Sequence, residues 1–139
     1  PMSRAAAVLS GCKNYSRARS AGERKVLALD WGVMLEYEGE VPEALCWVGV
    51  RSHYLVPVPA SEKYRKNTFR CQVLRVVEDV FSMVILLRPE AGGKSAEKQA
   101  DVLLRAEMTK EFWEGFLRRE DPAQGLWLHI EPKDVMLLT

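Results

Sequence analysis

Apolar and polar residues alternate with a period of two along most of this chain, the pattern of strands with one buried face. Residues 25–30 (KVLALD) and 33–38 (VMLEYE) flank Trp31-Gly32 and read as a hairpin. Residues 46–51 and 54–58 follow as two more strands, after a turn built on Gly39 and Pro42. The stretch PVPASEKYRKN, residues 57–67, then interrupts regular structure with two prolines and a polar run. Beyond it, residues 68–77, 81–88 and 101–107 read as strands. The polar, glycine-containing PEAGGKSAEKQA forms a loop between the last two. Residues 126–130 and 135–138 complete the set.

One segment has a different period. In TKEFWEGFLRRE the pairs Phe112/Phe116 and Trp113/Leu117 are four apart with charges between them, which predicts a short amphipathic helix at about 109–119. Thr109 caps its start and Asp121-Pro122 ends it.

The chain also repeats itself. CWVGVRSHYLVPV (46–58) and LWLHIEPKDVMLL (126–138) align without gaps, setting Trp47 over Trp127, Val48 over Leu128, Val50 over Ile130, Leu55 over Val135 and Val58 over Leu138. A shorter echo, Lys13-Asn14 and Lys66-Asn67, opens the two halves. The expected fold is therefore all-β with one short helix: two small OB-like barrels in tandem, made by duplication. Residues 14–58 form the first half, 59–66 the linker and 67–139 the second half. Strand alternation turns Cys46, Val48 and Val50 inward, with Leu126, Leu128 and Ile130. It turns Trp47, Gly49 and Arg51, and likewise Trp127, His129 and Glu131, outward. A large ring on a polar face needs cover from a loop, from the other half, or from a second subunit. Trp47 and Trp127 are thus the candidate interface residues.

Composition narrows the function classes. A chain of 139 residues, 47% hydrophobic, holds one domain or two small modules sharing a core. No apolar run approaches the roughly 20 residues that cross a bilayer, and the opening PMSRAAAVLSGCKNYSR lacks the apolar core of a signal peptide. Three cysteines, Cys12, Cys46 and Cys71, without CxxC spacing, suggest neither a disulfide framework nor zinc. A reducing cytoplasm is the expected compartment. Lysine and arginine total 20 against 19 acidic residues, so no net field gathers nucleic acid. The opening Pro1 suggests a piece of a longer polypeptide.

Candidate chemistry is sparse. AGGKSAEK ends like a phosphate-binding P-loop, but Arg88 stands where the first glycine belongs and a strand follows instead of a helix. Cys46 and His53 lack an orienting third group, and Cys46 falls on the inward face, which predicts a buried, inert thiol. His129 has no second histidine at ligand spacing and reads as structural. The carboxylates Glu36, Glu38, Glu78 and Asp79 read as solvated surface. No catalytic set survives, so this stretch is expected not to be an enzyme. Phe69, Arg70, Arg75 and Trp127 would be the residues of a single-strand nucleic-acid module, the minor alternative. Lys66, Asn67, Thr109 and Lys110 could hold a small oxyanion.

The segment WVGVRSHYLVPV resembles the hydrophobic-Gly-Ile/Val-Arg-Pro-Glu-x-Leu signature in C-terminal domains of ABC-importer ATP-binding subunits. The match runs through Val48, Gly49, Val50, Arg51 and Leu55, with Ser52 and His53 departing from Pro-Glu. KNTFRCQVLRVVED followed by GLWLHIEPKDVMLL resembles the Mop or TOBE barrel, and residues 9–36 are similar to the start of this domain in molybdate-type importer ATPases. The resemblance implies a cytoplasmic regulatory domain, peripheral to the membrane through its parent transporter. Residues 1–13 would be the junction from an upstream ATPase domain that holds ATP and Mg. It would work through contacts with that domain, a second ATPase subunit and the importer's membrane subunits, as a homodimer without nucleic acid. The alternative is a sensor that binds molybdate or tungstate itself. Against a full ligand site, Tyr64-Arg65-Lys66-Asn67 lacks the family's opening serine, Cys71 replaces a glycine, and Glu131 replaces a lysine.

Overall fold

The structure, a computed structural model, describes residues 14–92 and 102–139. It is all-β with one helix. Strands β1 (Asn14–Gly22), β2 (Lys25–Ala28), β3 (Val33–Glu36), β4 (Trp47–Val50) and β5 (Val56–Val58) make the first half. The second contains β6 (Thr68–Glu78), β7 (Ser82–Pro89), β8 (Leu104–Thr109), helix α1 (Lys110–Leu117), β9 (Leu126–His129) and β10 (Met136–Leu138). Among these, β1 was not foreseen. Its inward positions are Asn14, Ser16 and Ala18, polar or small and yet buried, so no apolar alternation announces it.

The strands form two antiparallel five-stranded sheets, ordered β10-β4-β1-β2-β3 and β5-β9-β6-β7-β8. The last strand of each half has crossed into the sheet of the other. The repeated strand-turn-strand is therefore not a hairpin, since β4 and β5 lie in different sheets, as do β9 and β10. Two-residue hairpin turns need positive φ, supplied by glycine or asparagine. The connections RSHYL and EPKDV contain neither, and none of their residues has positive φ. Each instead makes one short helical turn, Ser52–Tyr54 or Pro132–Asp134. Leu55 and Val135 then drop into the core as the chain crosses over. The break at residues 59–66 divides the chain, but it does not divide the sheets.

The two halves correspond residue by residue. In the first sheet Tyr15 faces Gly49, Ser16 faces Val48 and Arg17 faces Trp47; in the second Thr68 faces His129, Phe69 faces Leu128 and Arg70 faces Trp127. The exchanged strands match too: β10 sets Met136 against Gly49 and Leu138 against Trp47, and β5 sets Val56 against His129 and Val58 against Trp127. Even the register irregularity recurs, between Ser20 and Gly22 and again between Val73 and Arg75. Val50 and Ile130 are both buried at equivalent places, as the repeat requires.

Two buried asparagines fasten the sheets together. Asn14 on β1 donates through Nδ2 to the carbonyls of Arg105 (2.9 Å) and Val50 (3.2 Å), and its Oδ1 accepts from Arg105 N–H at 2.6 Å. Its counterpart Asn67 accepts from Glu36 N–H at 2.7 Å and donates to Glu36 O at 3.0 Å. Arg105 and Glu36 occupy matching places on the edge strands β8 and β3. Each asparagine side chain thus acts as one residue of an additional strand and satisfies a peptide group that the ladder would leave unpaired.

One apolar cluster runs through both halves, from Val26, Leu35 and Val48 to Ile85, Leu104 and Leu128. Trp31, fully buried in the β2–β3 turn, stacks on Phe69 of β6 with ring centres 6.4 Å apart. Beside it Gly32 and Gly92 let two turns touch: a Cβ on Gly32 would lie 2.5 Å from Ala91 O, and one on Gly92 2.5 Å from Asp30 O.

Three facing expectations need correction. Cys46 is exposed, because β4 begins only at Trp47 and the turn on Pro42 sends Leu45 inward instead. Gly49 and His129 are buried although alternation places them outward: Gly49 lies between Tyr15 and Met136, and His129 between Val56 and Thr68, whose hydroxyl meets its ring. Phe69, offered as a base-stacking ring, is spent on Trp31.

Candidate functional site

The four oxyanion candidates are all occupied within the fold. Asn67 uses its amide on the Glu36 peptide, and the Lys66 ammonium pairs with the Glu36 carboxylate at 3.2 Å. Thr109 caps α1, its hydroxyl accepting from Phe112 N–H at 3.0 Å, and Lys110 reaches Glu78 at 3.3 Å. Lys66 and Asn67 thus attend β3, while Thr109 and Lys110 attend the β6–β8 ribbon. Glu131, where the family pattern expects lysine, pairs with Arg65 at 3.1 Å.

Trp47 and Trp127 are both half-buried. Trp47 packs with Tyr15 and Met136 around Leu138. Trp127 lies under the Arg70 guanidinium, 5.9 Å from the ring centre, and Arg70 also pairs with Glu90 at 2.8 Å and donates to Gln124 O. Cover for the second ring therefore comes from its own chain. Arg17, the counterpart of Arg70, donates from Nη2 (2.7 Å) and Nε (3.0 Å) to Asp30 Oδ1, and its backbone N–H donates to Oδ2 at 2.8 Å. Burial disfavours charge on Asp30, but Arg17 and the Ser16 hydroxyl outweigh it and hold the carboxyl below its ordinary value of 3.8.

The other motif residues are quiet. Burial, with Glu90 nearby, pushes the Cys71 thiol far above its usual range, so it is an inert core residue. The Cys46 thiol donates to Ala44 O, while His53 lies 3.9 Å from Glu107; they do not form a pair. His129 Nδ1 is 3.0 Å from Thr68 Oγ1, a structural role. Lys94 and Ser95 of the GGKS run, and Cys12, lie outside the described residues. Among the described residues no three His, Cys, Asp or Glu side chains gather as a metal site, and no helix is long and apolar enough to cross a membrane.

One concavity with the form of a ligand site was not foreseen. A cleft of about 570 Å³ opens between the His53–Pro57 crossover, the β6–β7 tip, the end of β8 and the start of α1. Its surface is mostly apolar, with Leu55, Pro57, Phe81, Met108 and Phe112 among the lining residues. Reading it from sequence would have required knowing that the crossover passes beneath the tip of a distant hairpin.

The class that fold and site define is thus a duplicated, strand-exchanged β protein with an apolar cleft. No family model and no curated protein matches the chain.

Proposed function

We propose that this chain is a non-catalytic accessory domain of the ATP-binding subunit of an ABC importer, one that moves molybdate or a similar oxyanion. It would act through subunit contacts and not through chemistry of its own. The observation that carries this reading is the strand exchange. The segments that resemble the importer domain, with Asn67 opening and 126–138 closing, are those that knit the two halves into one body. A body so tied transmits force between the surfaces it touches without coming apart, which suits a spacer or clamp between ATPase subunits.

Expressing the complete reading frame that encodes this chain, with and without residues 14–139, tests the proposal. The complete protein is expected to hydrolyse ATP, and the truncated one to keep hydrolysis while its subunits associate more weakly in sedimentation. A reading frame with no nucleotide-binding domain, or truncation without effect on association, would overturn it.

A further inference from the structure

The second half of the duplication is longer than the first, and part of the addition gathers in one region. In the first, Glu23 and Arg24 join β1 to β2, and β3 ends at Glu36. In the second, β6 and β7 run past the shared bulge to a tip at Asp79–Phe81, β8 continues beyond Arg105 to Thr109, and α1 follows at once. All three additions border the cleft of about 570 Å³, and the crossover supplies its remaining wall. Its size falls within the roughly 300–1,000 Å³ of small-molecule sites. Segments added to one copy of a duplicated fold, converging on one concavity, mark where that copy gained a surface of its own.

We propose that the cleft binds a small organic cation with an apolar body, an alkyl- or arylalkyl-ammonium. Two aromatic rings stand open at its rim, Phe81 89% exposed and Phe112 44% exposed, and ring faces of this kind attract ammonium groups. Among the described lining residues the charged ones are Asp79 and Glu107, with no lysine or arginine. Glu107 is held in place: Oε2 accepts from Ser82 Oγ at 3.3 Å and lies 3.9 Å from His53 Nε2, while Oε1 is 3.7 Å from Arg105 Nη2. Its side chain is 26% exposed, so its field on a bound cation is less screened than that of a surface carboxylate. Arg105 offsets part of this charge; Asp79 at the tip restores the negative sign. Anions are excluded by the same charge, although Thr109 lines the cleft. This inference does not depend on the importer reading.

Calorimetric titration of the full chain with phenylbutylamine, phenylbutanol and phenylbutyrate tests it, with amide NMR shifts to locate binding. The amine should bind about tenfold or more tighter than the alcohol, the carboxylate weakest, with shifts at Phe81, Glu107 and Phe112. Glu107→Gln should weaken the amine about tenfold and leave the alcohol unchanged, while Phe81→Ala should weaken both. If Glu107→Gln does not fold, Asp79→Asn at the exposed tip carries the charge test with the same expectations. Absence of amine binding, an amine no tighter than the carboxylate, shifts elsewhere, or full amine affinity in the charge variant would each overturn the proposal.

Discussion

Asn67 combines two demands that few side chains meet. Its backbone sits in the left-handed region at φ 58, and its amide supplies both a donor and an acceptor to the main chain of one residue of β3, Glu36. Asparagine tolerates that conformation better than other non-glycine residues. Asn67→Ala should therefore cost about 1–3 kcal/mol for the unpaired peptide groups, plus about 1 kcal/mol of backbone strain. Asn67→Gly, which relieves the strain alone, should unfold between the parent and the alanine variant in urea. A glycine variant less stable than the alanine one would contradict this account. Asp30 supplies a pH test. Because its folded pKa lies below 3.8, the stability it adds is fully present above that value and disappears as pH falls through the folded pKa. Asp30→Asn should melt lower than the parent at neutral pH, the gap closing in acid below about 3.8. A gap that widened on acidification would refute the assignment. Arg17 is largely exposed, so added salt should shrink the gap as well.

At the scale of elements, the contrast between β1 and α1 is instructive. The helix was legible because Phe112/Phe116 and Trp113/Leu117 repeat at four, and Trp113 and Phe116 are indeed its buried residues. Thr109 caps it as the sequence suggested, so Thr109→Ala should destabilise the protein by about 1 kcal/mol while Thr109→Ser retains most of the capping. Hydrogen exchange at Phe112 N–H should accelerate in the alanine variant and not in the serine one. Strand β1 was illegible because its buried positions carry Asn14 and Ser16, each satisfied by a specific partner. Asn14 bonds to Arg105 and Val50, and the Ser16 hydroxyl receives the N–H of Asp30 at 2.8 Å. Periodicity detects apolar burial and is blind to polar burial that tertiary contacts make affordable.

For the whole molecule the strand exchange predicts cooperativity. A chain of residues 14–62 alone lacks β10 for its own sheet and leaves β5 without β9; residues 63–139 alone have the converse defect. Each should be unfolded or aggregated by itself, since an unpaired strand edge and half of a shared core are both exposed. Mixed and refolded together, they should recover the native circular dichroism at one-to-one stoichiometry. Independent folding of either piece would show that the exchange is dispensable. The same topology makes the intact protein expected to unfold in one transition, with the Trp31–Phe69 stack reporting loss of both halves at once.

The sequence by itself determined the all-β character, the duplication, the helix and most strand positions, because these rest on local period and on turn chemistry that neighbouring residues specify. It also placed Val50 and Ile130 in matching core positions, since equal burial patterns leave equal imprints. Only the tertiary structure decided that each half lends its last strand to the other, that β1 exists, that Cys46 faces out, and that a cleft forms under the β6–β7 tip. Those outcomes depend on which distant edge a strand meets. The choice is made by the crossover geometry and by buried amides such as Asn14 and Asn67, which reach Arg105 and Glu36 in the opposite half of the chain.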